Sequence, residues 1–413
     1  MYNQYRIVMS RRKYYYLIAV FCCLLSVSAQ QTGELNKVPA QVSIVYPFGT
    51  NGRQSPHHLY NFSFNFFTGK IGGLSGMEIS GLFGQVERNL LGLQVAGLGN
   101  VVGGGMNGMQ VSGLANIIGD RATGLQVSGL TNVTGDRMQG IQVTGLANVT
   151  GDAMNGMQMS GISNIVGSRM QGLQIASFAN IVGNGMNGIQ VTGFANVIGD
   201  AMNGIQVAGL ANVVGDEMNG VQIGLYNRVH TSRGLQIGIV SVNDTVANGV
   251  SLSLIHIVKK GAYREWELSF SDYANVALSY KMGVQKFYTV YTAGVNFIED
   301  NLWTFGIGFG NRTRIGNRFD FQPELVHYAY FPTNFKHIQN TFATQLKLGF
   351  VYNLNEKFGL SLAPGIYVLN ADKRSNYDSN YYRISPLGAL YTYKSGNLQT
   401  TVGVGISIGL SIK

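Results

Sequence analysis

Cysteine is nearly absent from this chain of 413 residues, and charged residues are scarce. Both cysteines, Cys22 and Cys23, lie in the first thirty residues, so the rest of the chain can form neither a disulfide framework nor a thiolate metal site. Charged residues make up 12% of the chain, against about 25% in typical globular proteins. The basic residues are scattered rather than gathered in a stripe, so we expect no nucleic-acid partner.

Long apolar runs are also missing beyond residue 30. A helix that spans a membrane needs about 20 apolar residues, so the sequence predicts no such helix after this point. A chain with few charges and no such run can still form a membrane β-barrel, whose strands carry only a period-two signal. It can also form a β-solenoid.

The first 29 residues have the features of a secretory signal peptide. Arg11, Arg12 and Lys13 precede an apolar run from residue 14 to residue 27, and the small residues needed for cleavage follow at Val27-Ser28-Ala29. A membrane anchor helix is the alternative, but the run is shorter than the roughly 20 residues that spanning requires. We therefore expect an exported protein.

An internal repeat of 16 residues without insertions dominates the segment from Gly92 to Asn219. Its unit is Gly-Φ-Gln-Φ-x-Gly-Φ-Ala-Asn-Φ-Φ-Gly-Asp-x-Met-Asn, where Φ is an apolar residue. Glycine recurs too often for a helix, since each interior glycine costs a helix about 1 kcal/mol. The unit instead predicts two short strands, Gly-Φ-Gln-Φ and Asn-Φ-Φ, joined by a Gly-Asp-x-Met-Asn turn.

Two columns of carboxamides recur at this spacing, and in a solenoid they would stack as hydrogen-bonded ladders. These predicted ladder residues are Gln94, Gln110, Gln126, Gln142, Gln158, Gln174, Gln190, Gln206, Gln222, Asn100, Asn116, Asn132, Asn148, Asn164, Asn180, Asn196 and Asn212. In this interpretation each unit is one coil. The expected inward set of one coil is Leu125, Val127, Leu130, Val133 and Met138.

A large barrel is the alternative, in which each unit is one antiparallel strand and a turn. We favour the solenoid because unvarying Gln and Asn are expected where like stacks on like, and because the repeats nearly lack the aromatic girdles of a membrane barrel. The barrel alternative would place Ile141, Val143, Gly145, Ala147 and Val149 toward lipid. It would place Gln142, Thr144, Leu146, Asn148 and Thr150 toward the lumen.

Beyond about residue 244 aromatics become frequent and strict alternation appears. The last strand is the clearest case, with apolar residues at every second position from Val402 to Ile412 and small or polar residues between them. Such strands predict an antiparallel transmembrane β-barrel, here of about 10–12 strands. A soluble β-sandwich is the alternative.

The segment before the repeats shows the same alternation at Tyr60, Phe62, Phe64 and Phe66. Because the first and last strands of a barrel must pair, we expect these early strands to close onto 398–412. The predicted fold class is all-β, with a 16-residue-repeat β-solenoid inserted in or joined to the barrel. The predicted organisation is a signal peptide (1–29), a linker with early barrel strands (30–70), the repeat array (71–243) and the barrel (244–413).

The run Gly-Leu-Gln-Val-x-Gly-Leu-Ala-Asn follows an aromatic strand and the opening from Gly76 to Leu82, Gly-Met-Glu-Ile-Ser-Gly-Leu. In these features the chain resembles a family of bacterial surface-repeat proteins found in spirochaetes and Bacteroidetes. The resemblance covers roughly residues 58–243, and it implies an exported surface or outer-membrane location without implying any activity. The part that follows resembles outer-membrane barrels generally.

Few residues suggest chemistry. An aspartate column in the repeat turn, at 120, 136, 152, 200 and 216, could bind calcium, but it is interrupted at two positions. A hydroxyl column at 112, 128, 144, 160 and 192 could form a flat face for glycans, but alanine interrupts it. Glu265 and Glu267 share one face of a predicted strand, which we interpret as lining of the barrel lumen. No pairing of a nucleophile with a base is found, so we expect no enzyme and no cofactor.

The sequence thus predicts a non-enzymatic outer-membrane or cell-surface protein of a diderm bacterium, with a structural or adhesive repeat array. One alternative is an outer-membrane pore or transporter in which the repeats are strands of one large barrel. The other is a surface solenoid that binds glycan or calcium. The expected partners are outer-membrane lipid and, further, a surface ligand or an envelope protein.

Overall fold

The computed structural model describes residues 34–298, 301–332, 341–372, 389–395 and 398–413. The predicted signal peptide lies outside these ranges. The chain forms a parallel β-solenoid and a closed antiparallel barrel of eight strands, which confirms the predicted fold class. It divides into two compact units, Met1–Gly220 and Val221–Lys413. Among the described residues no helix is long and apolar enough to cross a membrane.

The first unit opens with β1 (Asn36–Val45), β2 (Phe48–Gly49), a 3-10 helix (Gly52–His57) and β3 (His58–Ile71). Long strands then alternate with short ones. They are β4 (Gly73–Ser80), β5 (Phe83–Val86), β6 (Leu90–Ala96), β7 (Gly99–Val102), β8 (Met106–Ser112), β9 (Ala115–Ile118), β10 (Ala122–Ser128), β11 (Thr131–Thr134), β12 (Met138–Thr144), β13 (Ala147–Thr150), β14 (Met154–Ser160), β15 (Ser163–Val166), β16 (Met170–Ala176), β17 (Ala179–Val182), β18 (Met186–Thr192), β19 (Ala195–Ile198), β20 (Met202–Ala208) and β21 (Ala211–Ile223).

Equivalent residues of successive repeats lie beside one another. Long strands pair in parallel with long strands, so that Gln94 on β6 lies opposite Gln110 on β8. Short strands pair in the same way, so that Asn116 on β9 lies opposite Asn132 on β11. Each repeat is therefore one coil of the solenoid. The parallel pairing excludes the alternative in which each repeat is an antiparallel strand of a large barrel.

The long strand begins earlier than the sequence predicts. Met138 and Gln139 belong to β12 rather than to the turn, which shortens the turn to 135–137. Gly140, the third residue of this strand, has a φ of +139°, and its equivalents from Gly92 to Gly220 have φ values between +123° and +147°. Because L side chains rarely adopt such angles, this recurring glycine is required by the strand and not by the turn.

The interior of the coil is largely polar, although a column of methionines and, in most coils, one Ile or Val such as Ile118 are also buried there. The predicted inward set is wrong. Of that set only Met138 is buried, whereas Leu130 is 41% exposed and Leu125, Val127 and Val133 are half-buried on the outer surface. The buried residues of the next coil are Met138, Gln142, Thr144, Asn148 and Thr150. Alternation defines two faces but not which of them is inside. Stacked carboxamides satisfy one another's hydrogen bonds, which allows the polar face to be the buried one.

The strands before the repeats belong to the solenoid, so the prediction that they close the barrel is wrong. β1 pairs in parallel with β3, with Val42 opposite Phe64, and β3 pairs in parallel with β4. Phe64 faces outward, whereas its neighbours Ser63 and Asn65 are fully buried. A barrel strand and a strand of a solenoid with a polar interior have the same alternation, which is why the sequence did not separate them.

In the second unit, β22 (Tyr226–Ser232), β23 (Leu235–Val246) and β24 (Val250–Lys260) also pair in parallel. The parallel arrangement therefore extends to Lys260 instead of ending at residue 243. The remaining strands are β25 (Tyr263–Ser271), β26 (Val276–Val284), β27 (Phe287–Asn296), β28 (Leu302–Gly310), β29 (Thr313–Arg314), β30 (Phe319–Pro332), β31 (Thr341–Asn353), β32 (Phe358–Asp372), β33 (Ala389–Ser395) and β34 (Leu398–Ile412).

Eight of these strands close the barrel. Each pairs antiparallel with the next, and β34 pairs with both β32 and β25, with Leu268 opposite Leu410. The short strands β29 and β33 add to β30 and β34. The predicted range of about 10–12 strands is too high, because the early strands and residues 244–260 pair in parallel instead. The repeats precede the barrel strands, so they are joined to the barrel and not inserted in it.

Candidate functional site

The predicted ladder residues all lie in the solenoid interior and have no exposed surface. Gln142 Nε2 donates to Gln126 Oε1 at 2.7 Å, and Gln158 Nε2 donates to Gln142 Oε1 at 2.8 Å. Asn132 Nδ2 donates to Asn148 Oδ1 at 3.0 Å. Because a carboxamide is both donor and acceptor, each column satisfies itself from coil to coil. The ladders therefore hold the stack in register.

The two ladders are polarised in opposite directions. From Gln94 to Gln206 each ladder glutamine donates to the coil before it, as Gln142 does. From Asn100 to Asn196 each ladder asparagine donates to the coil after it, as Asn148 does to Asn164 at 3.0 Å. Aligned amide dipoles add along a stack, as they do in a helix, so the opposed columns offset each other. Asn148 Nδ2 also donates to the backbone oxygen of Met159 at 2.8 Å, which ties the ladder to the next long strand.

The glutamine ladder begins at a buried carboxylate that the sequence analysis missed. Glu78 occupies the glutamine position one coil before Gln94. Its Oε2 accepts from Gln94 Nε2 at 2.7 Å, and its Oε1 accepts from Asn65 Nδ2 at 2.9 Å. Asn65 and Gln94 thus each donate to one oxygen of this carboxylate. A glutamine has only one oxygen, so its amide N–H group would face one of these two donors. The substitution of Glu for Gln at this one position of the column was the available signal.

Burial raises the pKa of Glu78 to about 7, although hydrogen bonds from Gln94, Asn65 and Ser63 lower it. The folded chain therefore holds this proton more tightly than the unfolded chain. The contribution to stability is complete below pH 4.5 and is lost as the pH rises to about 7.

We expect Glu78→Gln to remove this pH dependence. The rise from 4.5 to about 7 corresponds to roughly 3 kcal/mol, at about 1.4 kcal/mol per pKa unit. Urea unfolding of the detergent-solubilised protein between pH 4 and pH 8 measures the difference between wild type and variant. The exposed Asp200→Asn makes the same formal charge change and should leave the slope intact. If the free energies of unfolding of wild type and Glu78→Gln change with pH in the same way across this range, the raised pKa of Glu78 is contradicted.

The barrel interior contains a second polar cluster, which includes both predicted lumen glutamates. Lys281 Nζ lies 2.8 Å from Glu267 Oε2, 2.8 Å from Glu324 Oε1 and 3.2 Å from Glu265 Oε1. Lys347 Nζ lies 3.1 Å from Glu324 Oε2. All of these side chains are buried. Sequence reasoning identified the two glutamates but missed Lys281, Glu324 and Lys347, whose inward positions on alternating strands were the available signal.

Arg312 extends this cluster. Its guanidinium contacts Glu265, and its Nε lies 2.8 Å from Asp320 Oδ2. Four carboxylates thus face three buried cations. A layer of tyrosines fills more of the interior, and Tyr288 donates to Glu324 Oε1 at 2.9 Å. The lumen is therefore packed with side chains.

The barrel exterior is mainly apolar, with one polar pair, His327 and Thr344, 2.9 Å apart on neighbouring strands. On β34 the outward residues from Val404 to Ile412 are between 38% and 57% exposed, while Ser407 and Ser411 between them are buried. Trp266, Phe305 and Phe350 on other strands also face outward and are about half exposed. This distribution is the reverse of that in a water-soluble protein.

The charged turns of the solenoid do not form the predicted ligand sites. Asp136 pairs with Arg121 at 3.0 Å and Asp152 pairs with Arg137 at 2.9 Å, so these carboxylates have partners within the chain. Ser128 and its equivalents in the hydroxyl column point inward and are largely buried. The prediction that these hydroxyls form a flat exposed face for glycans is therefore wrong. Within the described ranges no group of three or more histidine, cysteine, aspartate or glutamate residues is placed so that it could hold a metal ion.

A groove of about 800 Å³ does follow the charged turns. Its rim carries three arginines, Arg121, Arg137 and Arg169, and a column of exposed carboxamides. The carboxamides stand at 139, 155, 171, 187 and 203. In comparisons with models of known families, with curated proteins and with solved structures, nothing matches this chain.

Proposed function

We propose that the protein is a non-enzymatic protein of the outer membrane whose barrel is a closed anchor and whose repeat array is a rigid scaffold. The observation that carries this proposal is the reversed polarity of the barrel. Apolar side chains such as Ile408, 57% exposed, cover its outside, and the buried ion pairs of Lys281 fill its inside. Such a surface suits hydrocarbon, and closed barrels leave no unpaired strand edge in lipid.

The packed interior favours an anchor over a pore. An open channel needs a wide aqueous lumen, and barrels of eight strands have an interior that side chains can fill. Lys281, Glu265 and Glu267 occupy that interior here and are almost completely buried. The parallel stacking of the repeats also leaves them unable to widen the barrel.

The array suits a structural role because its coils are held by two continuous ladders. Each coil of such a stack is stabilised by its contacts with the neighbouring coils, and here the ladders fix the register of those contacts. An adhesive role would use the groove at the charged turns, where Arg121, Arg137 and Arg169 recur beside exposed carboxamides.

Reconstitution into phosphatidylethanolamine–phosphatidylglycerol vesicles tests this function. We expect the full chain to float with the vesicles after carbonate washing, to migrate faster on a gel when unheated than when boiled, and to give no ion conductance. Release by carbonate would refute the anchor. Stepwise conductance in planar bilayers would favour the pore instead.

A further inference from the structure

Every charged residue between 90 and 215 lies at one turn of the coil. We call this row the charged edge, formed by residues 119–121 and their equivalents. Its members include Asp136 and Arg137, and the exposed carboxamides of the groove lie beside it. The remainder of the outer surface carries no charge in this segment.

The opposite turn of the coil is apolar. We call it the apolar edge, and its members are between 39% and 54% exposed. Two of them, Phe178 and Phe194, stack with ring centroids 4.7 Å apart and an interplanar angle of 7°. The row consists of Leu114, Leu130, Leu146, Ile162, Phe178, Phe194 and Leu210.

Both walls next to this edge are apolar too. On the long strand Leu125 and Val127 face outward, and on the short strand Val133 does so. On the long strand polar side chains begin only at Thr123, two residues nearer the charged edge. Small hydroxyl residues are the exceptions beside the apolar edge, and that of Thr131 donates to the Ala147 oxygen at 2.9 Å. The solenoid is therefore amphipathic from edge to edge.

Backbone hydrogen bonds join the apolar edge from coil to coil. Leu130 N donates to Leu114 O at 2.9 Å, and Thr131 N donates to the same oxygen at 3.0 Å. In the next coil Leu146 N donates to Leu130 O at 3.1 Å. Hydrocarbon tolerates a turn only when its backbone groups are bonded to protein, and this turn meets that requirement.

The apolar edge and the apolar walls beside it together extend over about the thickness of the hydrocarbon in one lipid leaflet. From Leu130 to Leu125 the strand runs five residues, which at about 3.3 Å per residue is roughly 16 Å. Half of a hydrocarbon core about 30 Å thick is about 15 Å. A solenoid that lies in the membrane plane with Leu130 near the bilayer centre would hold Arg121 and Asp136 at head-group level.

We infer that the solenoid lies edge-on in a single lipid leaflet, with the apolar edge buried in acyl chains and the charged edge at the head groups. This inference rests on the proposed membrane location. Lipid is the occupant because the apolar surface covers an edge and the two walls beside it. A second copy of the chain would cover one wall at a time, whereas acyl chains surround all three sides.

Nitroxide labels on single cysteines test the inference in vesicles, in a background where the chain's two cysteines, Cys22 and Cys23, are replaced by serine. The labelled variants are Leu146→Cys on the apolar edge, Asn155→Cys beside the charged edge and Ile408→Cys on the barrel. Each replaces an exposed side chain, so folding should persist. We expect oxygen to relax the Leu146 label strongly, as it does the Ile408 label, and a water-soluble nickel complex to relax only the Asn155 label.

The outcomes separate the two proposals. A Leu146 label reached by nickel while the Ile408 label stays in lipid overturns this inference and leaves the membrane anchor standing. An Ile408 label reached by nickel overturns the membrane location itself. A Leu146 label shielded from both reagents means that protein covers the apolar edge, and this also overturns the inference.

Discussion

Gly140→Ala is expected to lower the free energy of unfolding of the repeat array by about 4 kcal/mol. The glycine has a φ of +139°, and a left-handed angle costs an L residue about 1–2 kcal/mol. A Cβ at this position would also overlap the backbone oxygen of Gly124 on the preceding coil, which adds about 1–3 kcal/mol of overpacking. The added Cβ and the Gly124 oxygen cannot move apart without disrupting the strand pairing between the two coils.

Denaturant unfolding followed by circular dichroism measures this loss, and limited proteolysis should show a new cleavage site near residue 140. Gly185→Ala is the matched control. Gly185 stands at a turn position where the next repeat has Ala201, and an added Cβ would lie 3.4 Å from the Ala201 oxygen, which is ordinary contact. Equal stability losses in the two variants would show that the strand glycine has no special role.

Lys281→Met is expected to destabilise the barrel by about 3–5 kcal/mol, since removal of one partner leaves buried charges uncompensated. Lys281 Nζ lies within 3.2 Å of three carboxylates, and all four groups are almost completely buried. Methionine has a side chain of similar length to lysine, so the loss of stability reports removal of the positive charge. The midpoint of the heat-induced gel shift should fall accordingly.

Two controls separate charge from packing. Arg314→Ala removes a guanidinium that is 62% exposed from Asp320, which keeps its pair with buried Arg312. Because solvent screens an exposed cation, we expect a loss of at most about 1 kcal/mol. Adding Glu267→Gln to Lys281→Met should recover part of the loss, because one uncompensated carboxylate disappears. If the double variant is no more stable than Lys281→Met alone, the repulsion argument fails.

Several features of the fold follow from local pattern. Recurrence of Gln and Asn every 16 residues predicts stacking of like on like, and the parallel register of Gln94 with Gln110 confirms it. Alternation from Val402 to Ile412 predicts a barrel strand with an apolar outside, and the exposure of Ile408 agrees. These predictions need only the spacing at which residue types recur along the chain.

Other features depended on contacts between distant residues. The early strand containing Phe64 alternates like a barrel strand, yet it pairs with β1 and β4 in the solenoid. The acceptor role of Glu78 requires Asn65 and Gln94 to approach it from opposite sides. The cluster around Lys281 joins side chains from several barrel strands, and no local spacing relates them.

The sequence by itself determined the all-β class, the 16-residue coil, the ladder residues and the alternating barrel strands. Only the tertiary structure decided that Leu125, Val127, Val133 and their equivalents face outward and that the ladder carboxamides face inward. The physical reason is that alternation of apolar and polar residues defines the two faces of a strand but does not show which face is buried. The choice depends on whether buried polar groups find partners, and here each carboxamide finds its partner on the next coil.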